Sequence, residues 1–171
     1  HRGVEPPYKI PLLKDVIHWA KNRPEVILQL DLKGADYEDL ADLLKLEGVE
    51  GQVILIAYSI RQAQRLHSLM PDLMLSVNMR NQREFSEVMD SDLPKGQLIA
   101  FTGTRLSDPA LYQRVNDAGI KCILGTLGNL DRAAEKRDFQ PFHQYISMGV
   151  DVLATDKPLK AFRAVGHLKT K

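Results

Sequence analysis

Along this chain the spacing of apolar residues switches repeatedly between the 3.6-residue period of a helix and the two-residue period of a strand. Pro11 opens the first helical stretch, where Leu13, Val16, Ile17 and Ala20 recur at helical spacing, and Pro24 ends it. Val26 to Leu32 then reads as a strand bounded by Pro24 and Gly34. One of its faces carries Val26, Leu28, Leu30 and Leu32; the other carries Ile27, Gln29, Asp31 and Lys33. Leu40, Leu43 and Leu44 predict a helix capped by Asp36. Val53 to Tyr58 predicts a strand, and Ser59 with Gln62 a capping box for the helix ending near Met70.

The same alternation continues to the end of the chain. Leu73 to Val77 predicts a strand, followed by a helix carrying Phe85, Val88 and Met89. After a strand at Leu98 to Phe101, Asp108 and Pro109 open a helix that buries Leu111, Tyr112, Val115 and Ala118, and Gly119 closes it. Ile120 to Leu124 is the next strand, and the polar segment Gly125 to Asp138 is the longest expected loop. A helix with Phe142, Tyr145 and Ile146 runs to Gly149, and Val150 to Ala154 is the last strand. Asp156 is the expected cap of a final helix opened by Pro158.

Six strands alternating with helices, several apolar on both faces, are the pattern of parallel βα units in an α/β domain. A complete eight-stranded barrel takes about 250 residues, whereas this chain has 171. Six units therefore form either an open sheet with helices on both faces or an incomplete β/α barrel, and periodicity leaves both open. The length fits one domain over residues 1–171.

Composition narrows the functional classes. The chain is 44% hydrophobic and 26% charged, as ordinary globular proteins are. Its 23 Lys and Arg against 22 Asp and Glu leave a formal charge of +1, so no global positive field argues for nucleic acid. No apolar run approaches the roughly 20 residues of a membrane span; the cellular compartment stays open. Cys122, alone within an apolar run, reads as a small buried hydrophobe, and Trp19 as a core residue of its helix. His18, His67, His143 and His167 have no partners at zinc-site spacing.

The chemistry concentrates at Asp31-Leu32-Lys33-Gly34, where a strand ends. Period two puts Asp31 and Lys33 on one face with Gln29. At the carboxyl end of a parallel strand, Asp31 can turn toward a hard cation and Lys33 toward a phosphate oxygen. A structural Asp–Lys pair is the alternative. Asn78 and Arg80 occupy another strand exit, as ligand contacts or as exposed loop residues. Thr102-Gly103-Thr104-Arg105 offers hydroxyls and a guanidinium to an anion, or simply a turn before the next helix. Gly125-Thr126-Leu127-Gly128 also follows a strand, but matches neither nucleotide-binding glycine pattern. Thr155-Asp156-Lys157-Pro158 caps the last helix or lines the pocket.

Taken in order, these segments resemble the glycerophosphodiester phosphodiesterase family. Tyr8 to Val16 resembles the family's approach to its third barrel strand, and Leu30-Asp31-Leu32-Lys33 its Glu-x-Lys strand. Ala118 to Cys122 resembles the approach to the seventh strand, and Gly149 to Pro158 the terminal Gly-Val-Asp…Thr-Asp-x-Pro strand. The resemblance implies a TIM-type β/α barrel represented by its last six βα units. It implies hydrolysis of small glycerophosphodiesters to glycerol 3-phosphate and an alcohol in the intact protein, assisted by a divalent cation, Mg²⁺ or Ca²⁺. It assigns Lys33 to phosphate binding or charge stabilisation as the catalytic group. Asp31 falls at a metal-coordinating Glu and is shorter by one methylene. Gln29, Asn78, Arg80, Thr102 and Thr126 become the candidate substrate contacts.

The family also carries His-Arg-Gly on its first strand, then Glu-x-Asp and a further His. Here His1-Arg2-Gly3 is followed within eight residues by Pro11, leaving no room for a second strand. The expectation is a chain covering the later two thirds of the barrel, without the histidine pair. Its sheet edges would then be open to self-association. A noncatalytic phosphate-ligand-binding or interaction domain on the same scaffold is the alternative function.

Overall fold

A computed structural model of the chain describes residues 9–34 and 36–166. His1-Arg2-Gly3, Tyr8 and His167 lie outside the described residues. Six strands are formed: β1 (Leu28–Leu30), β2 (Val53–Ala57), β3 (Met74–Asn78), β4 (Leu98–Phe101), β5 (Lys121–Gly125) and β6 (Val152–Ala154). Around them run α1 (Leu13–Lys21), α2 (Tyr37–Glu47), α3 (Ile60–Leu69), α4 (Gln82–Met89), α5 (Pro109–Asp117), α6 (Asn129–Glu135), α7 (Gln140–Ser147) and α8 (Pro158–Val165).

Helix starts follow local side-chain chemistry. Asp36 accepts from the Glu38 and Asp39 amides, Ser59 from Gln62, Asn81 from Glu84 and Asp108 from Ala110. The last helix departs from expectation. The residue before α8 is Lys157, and Thr155 Oγ1, not the Asp156 carboxylate, accepts from its amide at 2.9 Å. The expected loop from Gly125 to Asp138 also contains α6. Its polar sequence hid two apolar seats, Ala134 buried in the core and Leu130 packed against it.

All six strands pair in parallel and in sequence order, β1-β2-β3-β4-β5-β6. An open doubly wound sheet would reverse its order at a switch point; this one does not. The helices also share one face. Val53, Leu55, Ala57, Leu75, Val77, Ala100, Cys122 and Leu124 form a continuous core with Ile17, Leu44, Leu66, Val88, Tyr112 and Phe142. The alternate strand positions, including Ile54, Ile56, Met74 and Phe101, face a concavity instead. Helices outside and a side-chain-lined hollow inside make a curled, partial β/α barrel.

The terminal strand contains two constraints. Gly149 has φ +103°, and a Cβ there would meet Asn116 Nδ2 at 2.6 Å, so this junction favours glycine. The Asp151 carboxylate then accepts from the Cys122 amide at 2.9 Å as the β5–β6 pairing begins. Cys122 is buried as expected, and burial, with the nearby Asp151 charge, pushes its thiol up to about 12. Trp19 is not a core residue: it is half exposed, with the Arg23 guanidinium 4.7 Å from the ring centroid.

Among the described residues, β1 and β6 each have a strand neighbour on one side only. Ile27 and Val152, on the concave side near these edges, are 60% and 41% exposed. Unpaired edges beside exposed apolar side chains template pairing with another chain. The chain is therefore expected to self-associate at micromolar concentration. Sedimentation velocity showing only monomer would contradict this. Among the described residues no helix is long and apolar enough to cross a membrane.

Candidate functional site

Strand parity determines which side chains reach the mouth of the hollow. Beyond β1 the core-facing series is Leu28, Leu30 and Leu32, so Gln29 and Asp31 project to the other side, exposed. Beyond β2 the core-facing series is Val53, Leu55 and Ala57, which puts Tyr58 on the concave side with Ile54 and Ile56. Two adjacent strand exits thus bring together residues separated by 27 positions in the chain.

There Asp31, Tyr58 and Lys33 form a closed triangle. The Tyr58 hydroxyl donates to Asp31 Oδ2 at 2.8 Å and accepts from Lys33 Nζ at 2.8 Å. Lys33 Nζ lies 2.9 Å from the same Asp31 oxygen and 4.4 Å from the Tyr58 ring centroid. The Lys33 hydrogen bond, then that of Tyr58, holds the Asp31 carboxyl below its ordinary range. Tyr58 first and Asp31 second hold the Lys33 ammonium above its ordinary range. The lysine side chain is 70% exposed, so this is a charged, solvent-facing group.

Tyr58 is itself held from behind. Gln62 completes the expected capping motif one residue early: its Oε1 accepts from the Tyr58 amide at 2.8 Å, not from Ser59. The same side chain donates to Tyr37 Oη at 2.9 Å. The sequence reading placed Tyr58 only at the end of a strand. Its parity with Ile54 and Ile56 was the available signal.

Gln29 and Asn78 join Tyr58 in lining a concavity of about 230 Å³, with Ser76 and Phe101. Arg80 lies in an adjoining cleft of about 320 Å³ that Tyr58 and Asn78 share. Its guanidinium is taken up by Glu84, with Nε 3.0 Å from each carboxylate oxygen. This pairing holds Glu84 below and Arg80 above their ordinary ranges. Thr102 and Thr126 are buried on the core-facing side, apart from this group. Their hydroxyls donate to the Ile123 and Ala154 carbonyls, at 3.0 and 3.2 Å, and stitch neighbouring strand ends together.

A second carboxylate organises the far end of the mouth. Asp131, buried in the first turn of α6, accepts from Thr155 Oγ1 and the Asp156 amide at 2.9 Å. It fixes the exit of β6 to the segment after β5. Neither residue's spacing in the sequence announces this.

Among the described residues, no three His, Cys, Asp or Glu side chains converge as a metal site. Asp31 is one carboxylate, and its Oδ2 is already held by Tyr58 and Lys33. A hard cation takes about six oxygen ligands or more. The described residues alone do not fit Mg²⁺ or Ca²⁺.

No family model matches the sequence, and no curated protein matches it either. Solved structures do. A glycerophosphoryl diester phosphodiesterase from Parabacteroides distasonis aligns over 94% of this chain with TM-score 0.82 and 23% identity. The chain shares the fold of the glycerophosphodiester phosphodiesterases. A provisionally named glycerophosphodiester phosphodiesterase from Galdieria sulphuraria aligns over 94% with TM-score 0.75 and 12% identity. A glycerophosphodiester phosphodiesterase from Agrobacterium tumefaciens aligns over 91% with TM-score 0.59 and 18% identity. The chain spans 57%, 65% and 62% of these structures respectively. At such identities the glycerophosphodiester phosphodiesterase likeness is one of fold.

Proposed function

We propose that the protein hydrolyses glycerophosphodiesters to glycerol 3-phosphate and an alcohol, with this chain supplying the phosphate-facing side of the barrel mouth. The observation that carries the reading is the Asp31–Tyr58–Lys33 triangle at adjacent strand exits. Active sites of β/α barrels sit at that end, and solved structures bearing this activity's name share the fold. Lys33 brings a positive point charge to a non-bridging phosphate oxygen, where negative charge grows as the diester is cleaved. Gln29 and Asn78, which line the adjoining concavity, would hold the alcohol hydroxyls, with Arg80 at the margin.

A divalent cation requirement belongs to the same proposal for the whole protein. Asp31 Oδ1 accepts no hydrogen bond among the described residues and offers one oxygen. Other ligands would come from water, the phosphodiester or the rest of the protein. The test is release of glycerol 3-phosphate by the whole protein against Mg²⁺ and Ca²⁺ concentration. Chelation should abolish turnover and either cation restore it. Asp31→Ala should raise the cation concentration for half-maximal rate by about tenfold or more. A folded whole protein that binds glycerophosphodiesters and never cleaves them would reject hydrolysis in favour of a noncatalytic binding domain.

A further inference from the structure

Tyr58 differs from the other residues at the mouth in touching both members of the charged pair. Its hydroxyl donates its one proton in a hydrogen bond to Asp31 Oδ2, and its oxygen accepts a hydrogen bond from Lys33 Nζ. The lysine ammonium has three protons. Tyr58 takes one and Asp31 another, which leaves one N–H bond for a ligand. The tyrosine ring adds a cation–π contact to the ammonium. Behind the ring, Gln62 ties the Tyr58 amide to α3 and to Tyr37 of α2. A flexible four-carbon side chain, largely in solvent, is thereby referenced to two packed helices.

We propose that Tyr58 is a positioning residue, which holds the Lys33 ammonium against Asp31 with one N–H bond left to receive a phosphate oxygen. This rests on the reading above that Lys33 meets phosphate. Without the hydroxyl, Lys33 keeps its charge and its attraction to Asp31 but regains rotamer freedom, so each phosphate bond must again restrict the stem. The ligand class is the phosphate monoester or diester anion, and the role is to raise affinity for it.

The experiment is calorimetric titration of the whole protein with inorganic phosphate and with glycerol 3-phosphate, in a double-mutant cycle of Tyr58→Phe and Lys33→Ala. Tyr58→Phe retains the ring and should weaken binding about fivefold, a modest factor because the site is solvent-exposed. In the Lys33→Ala background the same change should have no further effect. A merely structural tyrosine would weaken binding by the same factor in both backgrounds. Thermal unfolding of Tyr58→Phe should match the unsubstituted protein, since the ring is half exposed. Unchanged phosphate affinity in Tyr58→Phe, or equal losses in both backgrounds, overturns the role. If the unsubstituted protein binds no phosphate, both this inference and the proposed function fall. Phosphate binding without hydrolysis overturns the hydrolase reading alone, and the cycle still decides the role of Tyr58.

Discussion

Lys33→Ala in the whole protein is expected to lower phosphodiester turnover about 100-fold while leaving the unfolding temperature unchanged. The lysine side chain is 70% exposed, and its polar contacts are Asp31 and Tyr58. Little packing is lost with it. On the role proposed for Lys33, what would disappear is a positive charge facing the oxygen on which negative charge develops during cleavage, an interaction stronger in the transition state than in the bound substrate. The sign of the pH dependence follows from the same contacts. Tyr58 and Asp31 hold the Lys33 pKa above its ordinary value, so the ammonium stays charged throughout the neutral range. Any loss of turnover between neutral pH and the ordinary lysine range should therefore persist unchanged in a Lys33→Arg variant that retains activity. Steady-state rates with a glycerophosphodiester check the first claim. A Lys33→Ala protein with ordinary turnover would leave the Asp31–Lys33 pair as a feature of the strand end.

The second large effect concerns stability. Asp131→Ala is expected to cost about 3 kcal/mol and to lower the unfolding temperature by about 10 °C. Asp131 is 3% exposed, and its two oxygens take the Thr155 hydroxyl and the Asp156 amide. Truncation leaves both donors without their acceptor and opens a space at the start of α6. Thr155→Val should cost less, because the carboxylate keeps the Asp156 amide while only the hydroxyl is lost. Calorimetric unfolding distinguishes the two. If Asp131→Ala unfolds at the same temperature as the unsubstituted protein, the carboxylate does not hold this junction. The consequence for function is geometric: the Asp131 bonds set where the β6 exit lies on the rim of the mouth.

The parts of the site that sequence reading reached are those controlled by short-range periodicity. Asp31, Lys33 and Gln29 share a strand face because side chains alternate, whatever the strand packs against. Asn78 was recognised at a strand exit, and the structure brings it into the same concavity as Gln29. Thr102 and Thr126 also follow strands, but their parity turns them to the core side, where backbone carbonyls take their hydroxyls. Strand ends estimated to within a residue suffice to find an exit, whereas a one-residue change reverses the face. Tyr58 was missed for a different reason. Its meaning lies in partners 25 and 27 residues away, just past the end of a neighbouring strand.

The sequence by itself determined the order of the six strands and of the helices between them except α6, together with the starts of α2, α3 and α5. Asp36, Ser59 and Asp108 cap where expected because a cap is completed within two or three residues. It also placed a carboxylate and an ammonium on one face of a strand exit. Only the tertiary structure decided between a barrel and a doubly wound sheet, since the same apolar strand serves in either. That choice lies in the sequential pairing and in the gathering of every core-forming helix on one face. The tertiary structure also gave α6 its anchor at Thr155, 24 residues away, and left Asp156 without a capping role. Periodicity and capping are satisfied within a turn or two of chain. Sheet order and side-chain meetings across strands depend on loop closure and burial of the whole core, which no local pattern contains.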